Sequence, residues 1–141
     1  MQRNDEIGLL RRMIFGVTAG YSPIRTNLHT MLVSIGVALN NEIGTADTSE
    51  VTQSAEGIVR TSYSLFKYTH PKADLNTVLT YFPSLTEEGR HRVDFNIKVR
   101  YELVRNFYFD LSYYTNYDSK PATEGAATAD FGIVTSIAWS Y

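Results

Sequence analysis

Twelve consecutive residues, Arg92 to Leu103, alternate polar and apolar side chains without an exception. Val93, Phe95, Ile97, Val99, Tyr101 and Leu103 hold the odd positions; Arg92, Asp94, Asn96, Lys98, Arg100 and Glu102 hold the even ones. A helix, turning about 100° per residue, would scatter these apolar groups around its circumference. A strand, with its period of two, sorts them onto opposite faces. The segment is predicted as a strand, and its two-faced character governs every later expectation.

Six further segments follow the rule less perfectly: 11–22, 28–40, 58–67, 74–82, 106–118 and 130–141. Their odd positions carry Phe15, Val17, Tyr21, Val33, Ile35, Val37, Leu39, Val59, Leu79, Phe109 and Leu111 among others. Their even positions are mostly small or polar, with Ile14, Leu32, Phe66, Val78, Phe82, Tyr108 and Val134 as exceptions. Short connections hold Pro23, Pro71 and the 104–106 turn. They alternate with long polar ones at 41–57, 84–90 and 119–129. Short and long connections in strict alternation predict an all-β, antiparallel up-and-down meander of about seven or eight strands in a single domain, forming all or part of a barrel.

Composition narrows the function classes. The 141 residues include no cysteine, which removes disulfides, thiolate metal sites and a cysteine nucleophile. Thirteen basic residues stand against 15 acidic ones, so no global positive field points to nucleic acid. No apolar run approaches the roughly 18 residues of a membrane helix. The mean hydropathy of -0.20 reads as soluble, but a β-barrel hides its membrane face in alternation that averages away.

Two orientations of the sheet compete: apolar face inward around a small hydrophobic ligand, as in a lipocalin-like soluble barrel, or apolar face outward to lipid. Three features favour the second. Small residues (Gly16, Gly20, Gly36, Ser34, Ala38, Gly132) cluster on the polar face, where a narrow lumen is short of space. Aromatics gather towards strand ends, as interfacial girdles do. The chain closes on Phe131, Ile133, Ile137, Trp139 and Tyr141 at every second or fourth position, a pattern like the C-terminal signal that barrels present to their assembly machinery. With Tyr141 on the periplasmic side, every long loop falls outside. Seven strands then start the first one outside, so at least one N-terminal strand and a signal peptide are expected upstream.

The polar face supplies the candidate site. Arg12, Arg60, Arg92, Lys98 and Arg100 face Asp74, Asp94, Glu102, Asp110 and Asp130, five charges of each sign. The expectation is a paired charge network filling a lumen, since charges removed from water need partners; a narrow pore for small solutes is the alternative. Catalysis is not expected. His29, His70 and His91 lie on separate segments without metal-ligand spacing, and Ser119 with Asp118 and His91 is better read as a turn opening a loop. The loop acids Glu42, Asp47, Glu50, Glu87 and Glu88 match no calcium-loop spacing. No cofactor or metal is expected.

From Leu75 to Tyr141 the chain carries more than a pattern. The run Leu79-Thr-Tyr-Phe-Pro-Ser-Leu-Thr86, then 106–121 with Tyr117, Asp118, Ser119 and Pro121, then Asp130-Phe-Gly-Ile to the terminal aromatic, resembles the salt-induced outer-membrane protein family, catalogued as a domain of unknown function. The resemblance implies an outer-membrane barrel in a Gram-negative envelope, in contact with lipid, lipopolysaccharide and the barrel-assembly machinery. It implies a structural, interaction or envelope-stress role, a signal peptide and further N-terminal strands. It supplies no mechanism.

Overall fold

The computed structural model describes residues 2–4, 9–44, 51–120 and 128–140, with side chains for 15–39, 54–120 and 128–140. Eight antiparallel strands form one meander sheet in chain order: β1 (Gln2–Asn4), β2 (Leu9–Arg25), β3 (His29–Gly44), β4 (Val51–Lys67), β5 (Ala73–Pro83), β6 (His91–Val104), β7 (Phe107–Asp118) and β8 (Ala129–Trp139). The seven expected strands are all present, and short β1 adds an eighth on the outer edge of β2.

Register preserves parity across the sheet. Leu65 pairs with Leu75, Leu75 with Val99, Val99 with Leu111 and Leu111 with Thr135, so odd positions share one face from strand to strand. Even positions share the other: Gly20, Ser34, Arg60, Thr80, Asp94, Asn116 and Asp130 form a single cross-strand row. A one-residue slip would transfer every side chain to the wrong face, and the strict alternation excludes it.

The even face is sheltered and the odd face is open. Ser34, Ala38, Glu56, Thr80, Glu102 and Asp110 are buried, and all are even. Ala38, 4% exposed, is the one buried apolar side chain among the described residues. Large apolar groups of the odd face lie open instead: Val17 at 76%, Ile35 at 63% and Ile137 at 68% exposure. The arrangement is the inverse of a water-soluble sandwich, whose apolar face turns inward. A lipocalin-like packing, with these side chains around an internal ligand, is therefore not the arrangement observed.

Two boundaries differ most from expectation. The stretch 41–57, expected as a long loop, carries the β3–β4 ladder on to Ile43 opposite Val51. Apolar alternation fades there, but backbone pairing does not require it, and Val, Ile and Thr sustain the pleat. The strand expected to end at Ser22 runs to Arg25 through a register shift between Tyr21 and Ile24, beside Pro23. Proline has no N–H for the ladder and belongs at such irregularities. The shift also changes parity, so that Ile24 opposes Met31 and joins the apolar face. A second shift between Glu102 and Val104 leads into the tight Arg105-Asn106 turn, where Asn106 has φ 65°. Asparagine tolerates that left-handed conformation better than most side chains.

Candidate functional site

Ordering the even-face residues by register resolves the expected network into two charged clusters, one at each end of the sheltered face. Neutral rows lie between them, chiefly Ser62-Val78-Asn96-Tyr114-Gly132. Asp94 and Lys98 mark the facing limits of the clusters on β6, four residues apart, or about 13 Å along a strand. That is beyond hydrogen-bond reach and beyond the screening length of about 8–10 Å for solvent-exposed charges. Among the described residues the charges do not form one network.

At the short-turn end, Asp74, Arg100 and Asp110 share one row on β5, β6 and β7. The Arg100 guanidinium donates from Nε and Nη2 to the two oxygens of Asp110, each at 2.7 Å. The planar fork matches a carboxylate, so this bidentate contact is the best-defined ion pair of the face. Arg100 also lies 5.8 Å from the Tyr108 ring centroid. Lys98 stands one row away and lines a cleft with Asp74, Asn76 and Arg100. Within this end, Oδ1 of Asp74 is buried without a hydrogen-bond partner.

Glu102 corrects the expectation that it pairs with a lumen cation. Its Oε2 accepts from the Lys72 backbone N–H at 2.9 Å and contacts His70 Nδ1 at 2.9 Å; its Oε1 accepts from the Asn106 N–H at 3.2 Å. One carboxylate, 2% exposed, thus joins two successive turns. Those N–H groups lie in connections where the ladder has ended, so they need another acceptor.

At the long-loop end, Arg92 donates from Nη2 to Glu56 at 2.7 Å, and its guanidinium lies 4.8 Å from the Phe82 ring centroid. Glu56 falls in the stretch expected as loop, so sequence reasoning misses its role. Its even parity is the signal that could find it, once the strand is extended. Phe82 and Tyr108, apparent errors on the polar face, are the platforms on which arginines rest.

Arg90, just before β6, donates to both oxygens of Asp118 at 3.0 and 3.4 Å and to Glu87 at 3.3 Å. Hydrogen bonding to Asp118 raises its pKa above the ordinary arginine value, against the opposing effect of burial. Lys120 Nζ donates to the Glu88 carbonyl at 2.7 Å, joining the 84–90 and 119–129 connections.

The remaining expected residues are placed as follows. Arg60 is exposed and Asp94 half-buried, with buried Thr80 between them in the same row. Asp130 is exposed at the start of β8, in that row beside Asn116. The side chain of Arg12 lies outside the described residues, as do Pro121 and Tyr141. Tyr117 is on the apolar face with its ring 5.8 Å from His91, which in turn is 6.2 Å from Tyr81. Asp118 Oδ1 accepts from the Lys120 N–H at 3.0 Å, the expected turn. Ser119 Oγ accepts from the His91 backbone N–H at 2.9 Å, while the His91 ring lies against Tyr81 and Tyr117. Phe131, Ile133, Ile137 and Trp139 are all open on the apolar face of β8, and Trp139 meets Phe107 with ring centroids 5.9 Å apart.

A family model described as a protein of unknown function, DUF481, matches residues 2–141. No curated protein and no solved structure matches the chain.

Proposed function

The chain belongs to the DUF481 family of proteins of unknown function, and we propose that it is wall material of an outer-membrane β-barrel in a Gram-negative envelope, with the even face towards a charged lumen and the odd face against lipid. The observation that carries this reading is the inverted burial. Bulky apolar residues from β2 to β8 are open while Glu56, Glu102 and Asp110 are sheltered. In water such a surface is unfavourable by roughly 25 cal/mol per Å² of apolar area left exposed, and hydrocarbon removes that penalty.

The dimensions agree with a bilayer. Odd apolar positions span 31–39 on β3 and 131–139 on β8, nine residues each, and 93–103 on β6, eleven. Strands crossing a membrane need about 9–11 residues. Tyr81, His91 and Tyr117 cluster at one margin of this band, and Phe107 with Trp139 at the other. Ten residue steps at roughly 3.4 Å, inclined near 40°, separate these margins by about 26 Å, close to the height of the apolar band in such barrels.

On this reading the protein acts through its wall, lumen and loops rather than by catalysis. Its partners are lipid and lipopolysaccharide, with the assembly machinery engaging β8 through edge pairing. Refolding the full chain from denaturant into phosphatidylcholine vesicles tests it. The expected product is vesicle-bound, resists protease between the loops, and migrates differently on a denaturing gel before and after boiling. A monodisperse, folded product in buffer without detergent would overturn the reading.

A further inference from the structure

A cleft of the sheltered face, about 650 Å³, lies over β2–β6, with a cation on its middle strand and an anion at one margin. Arg60 and Asp94 both line it, from β4 and β6, with Thr80 of β5 between them in the same row. Two strand spacings separate their backbones, about 9.5 Å. Among the described residues neither side chain forms an ion pair, with each other or with a third group. Arg92, the cation two positions from Asp94 on the same face, is committed to Glu56 at 2.7 Å. Arg90, at the same end, is held by Asp118 at 3.0 Å, and Asp130, in the same row, does not line this cleft. Arg60 and Asp94 are left presenting an unmatched cation and anion to one cavity.

The rest of the lining narrows the occupant. Hydroxyls of Ser34, Ser62 and Thr80 offer donors and acceptors along the floor, while Leu32, Ile58 and Phe82 supply an apolar side. Ligand clefts of several hundred cubic ångströms commonly combine apolar walls with a few orienting polar groups. A purely anionic ligand would satisfy Arg60 and be repelled by Asp94; a purely cationic one would meet the reverse. A neutral polyol would use the hydroxyls and leave both charges unmatched. We infer that this cleft is a binding site for a small zwitterion with an apolar side chain, a free amino acid in chemical class. Its carboxylate lies on the Arg60 guanidinium, its ammonium on Asp94, and its side chain against Phe82 and Ile58. The planar fork of arginine suits the first contact, and a carboxylate suits the second.

The test uses the full chain folded in detergent, with L-phenylalanine as the probe and calorimetric or NMR titration as the readout. Saturable binding is expected. N-acetyl-L-phenylalanine, which lacks the ammonium charge, and L-phenylalaninamide, which lacks the carboxylate, are each expected to bind at least tenfold more weakly. Arg60→Gln and Asp94→Asn should each weaken L-phenylalanine binding at least tenfold, with circular dichroism reporting whether each variant keeps its β-sheet. The two analogues need no variant to fold, so the comparison stands on the unaltered chain. Absence of saturable binding, or equal binding of a singly charged analogue, would overturn the assignment. It goes beyond the membrane reading and fails separately from it: vesicle insertion can succeed without binding, and binding can be measured without vesicles.

Discussion

Arg100 and Asp110 face each other across β6 and β7, and two parallel hydrogen bonds of 2.7 Å join them. Asp110 is 6% exposed whereas the Arg100 side chain is 41% exposed, so the acid depends on its partner more than the base does. Asp110→Ala is expected to lower stability by about 1–2 kcal/mol, less than for a fully buried pair because water reaches Arg100. Asp110→Asn, which keeps an acceptor, should cost less than Asp110→Ala. Denaturant unfolding in detergent, completed as a double-mutant cycle with Arg100→Gln, measures the coupling.

Glu102 holds two turns together, and the two halves of its carboxylate have separable partners. Glu102→Gln retains one carbonyl oxygen; Glu102→Ala strands the N–H groups of both Lys72 and Asn106. The expected order of unfolding midpoints is Glu, then Gln, then Ala. Amide exchange should accelerate at both Lys72 and Asn106 in Glu102→Ala. Unchanged exchange at those amides would remove the latch.

Gly36 of β3 lies against Val17 and Thr18 of β2. A Cβ there would overlap the Val17 carbonyl and press on Thr18, 2.7 Å from its Cγ2 and 2.8 Å from its Cα. Backbone cannot swing aside as a side-chain tip can, so Gly36→Ala is expected to cost about 1–3 kcal/mol. Gly16, where a Cβ would find ordinary contacts at 3.5 Å or more, is the control and should accept alanine with little loss.

Ile35 lies near the centre of the open apolar band, in one row with Ala19 and Val59. Ile35→Arg in vesicles is expected to cost about 2–4 kcal/mol at midplane depth. The same substitution at an exposed position of a water-soluble protein would be nearly neutral. Equal stability of the variant and the parent in vesicles would argue against a lipid face.

Arg90 and Lys120 tie neighbouring connections, through Asp118 and the Glu88 carbonyl. Arg90→Ala should change global stability by about 1 kcal/mol or less, as partly exposed ion pairs do. Cleavage by a Glu-specific protease at Glu87 and Glu88 should accelerate severalfold, because the 84–90 connection loses its anchor.

Strict alternation over 92–103 places β6 within one residue at each end, and the odd and even positions sort the residues of both sheet faces. Parity is a local property, set by the two-residue pleat, and so it is legible residue by residue. The Glu56–Arg92 pair is not legible in this way, because its residues are 36 positions apart and one lies in a stretch with no apolar rhythm. Nor is the alliance of Glu102 with His70, since a turn's unpaired N–H groups emerge only once its path is known. Phe82 and Tyr108 look like faults in the pattern until register sets arginines over their rings.

Alternation alone establishes that this chain is built of strands with one apolar and one polar face, because such a pattern sorts by face only in extended backbone. It does not say which face the sheet shelters, since an alternating strand reads the same from either side. That choice belongs to the assembled sheet, which places Glu102 and Asp110 inside and leaves Val17, Ile35 and Ile137 open. The division of the described charges into two clusters has the same origin: hydrogen-bond register, which depends on every strand at once, determines which charges share a row.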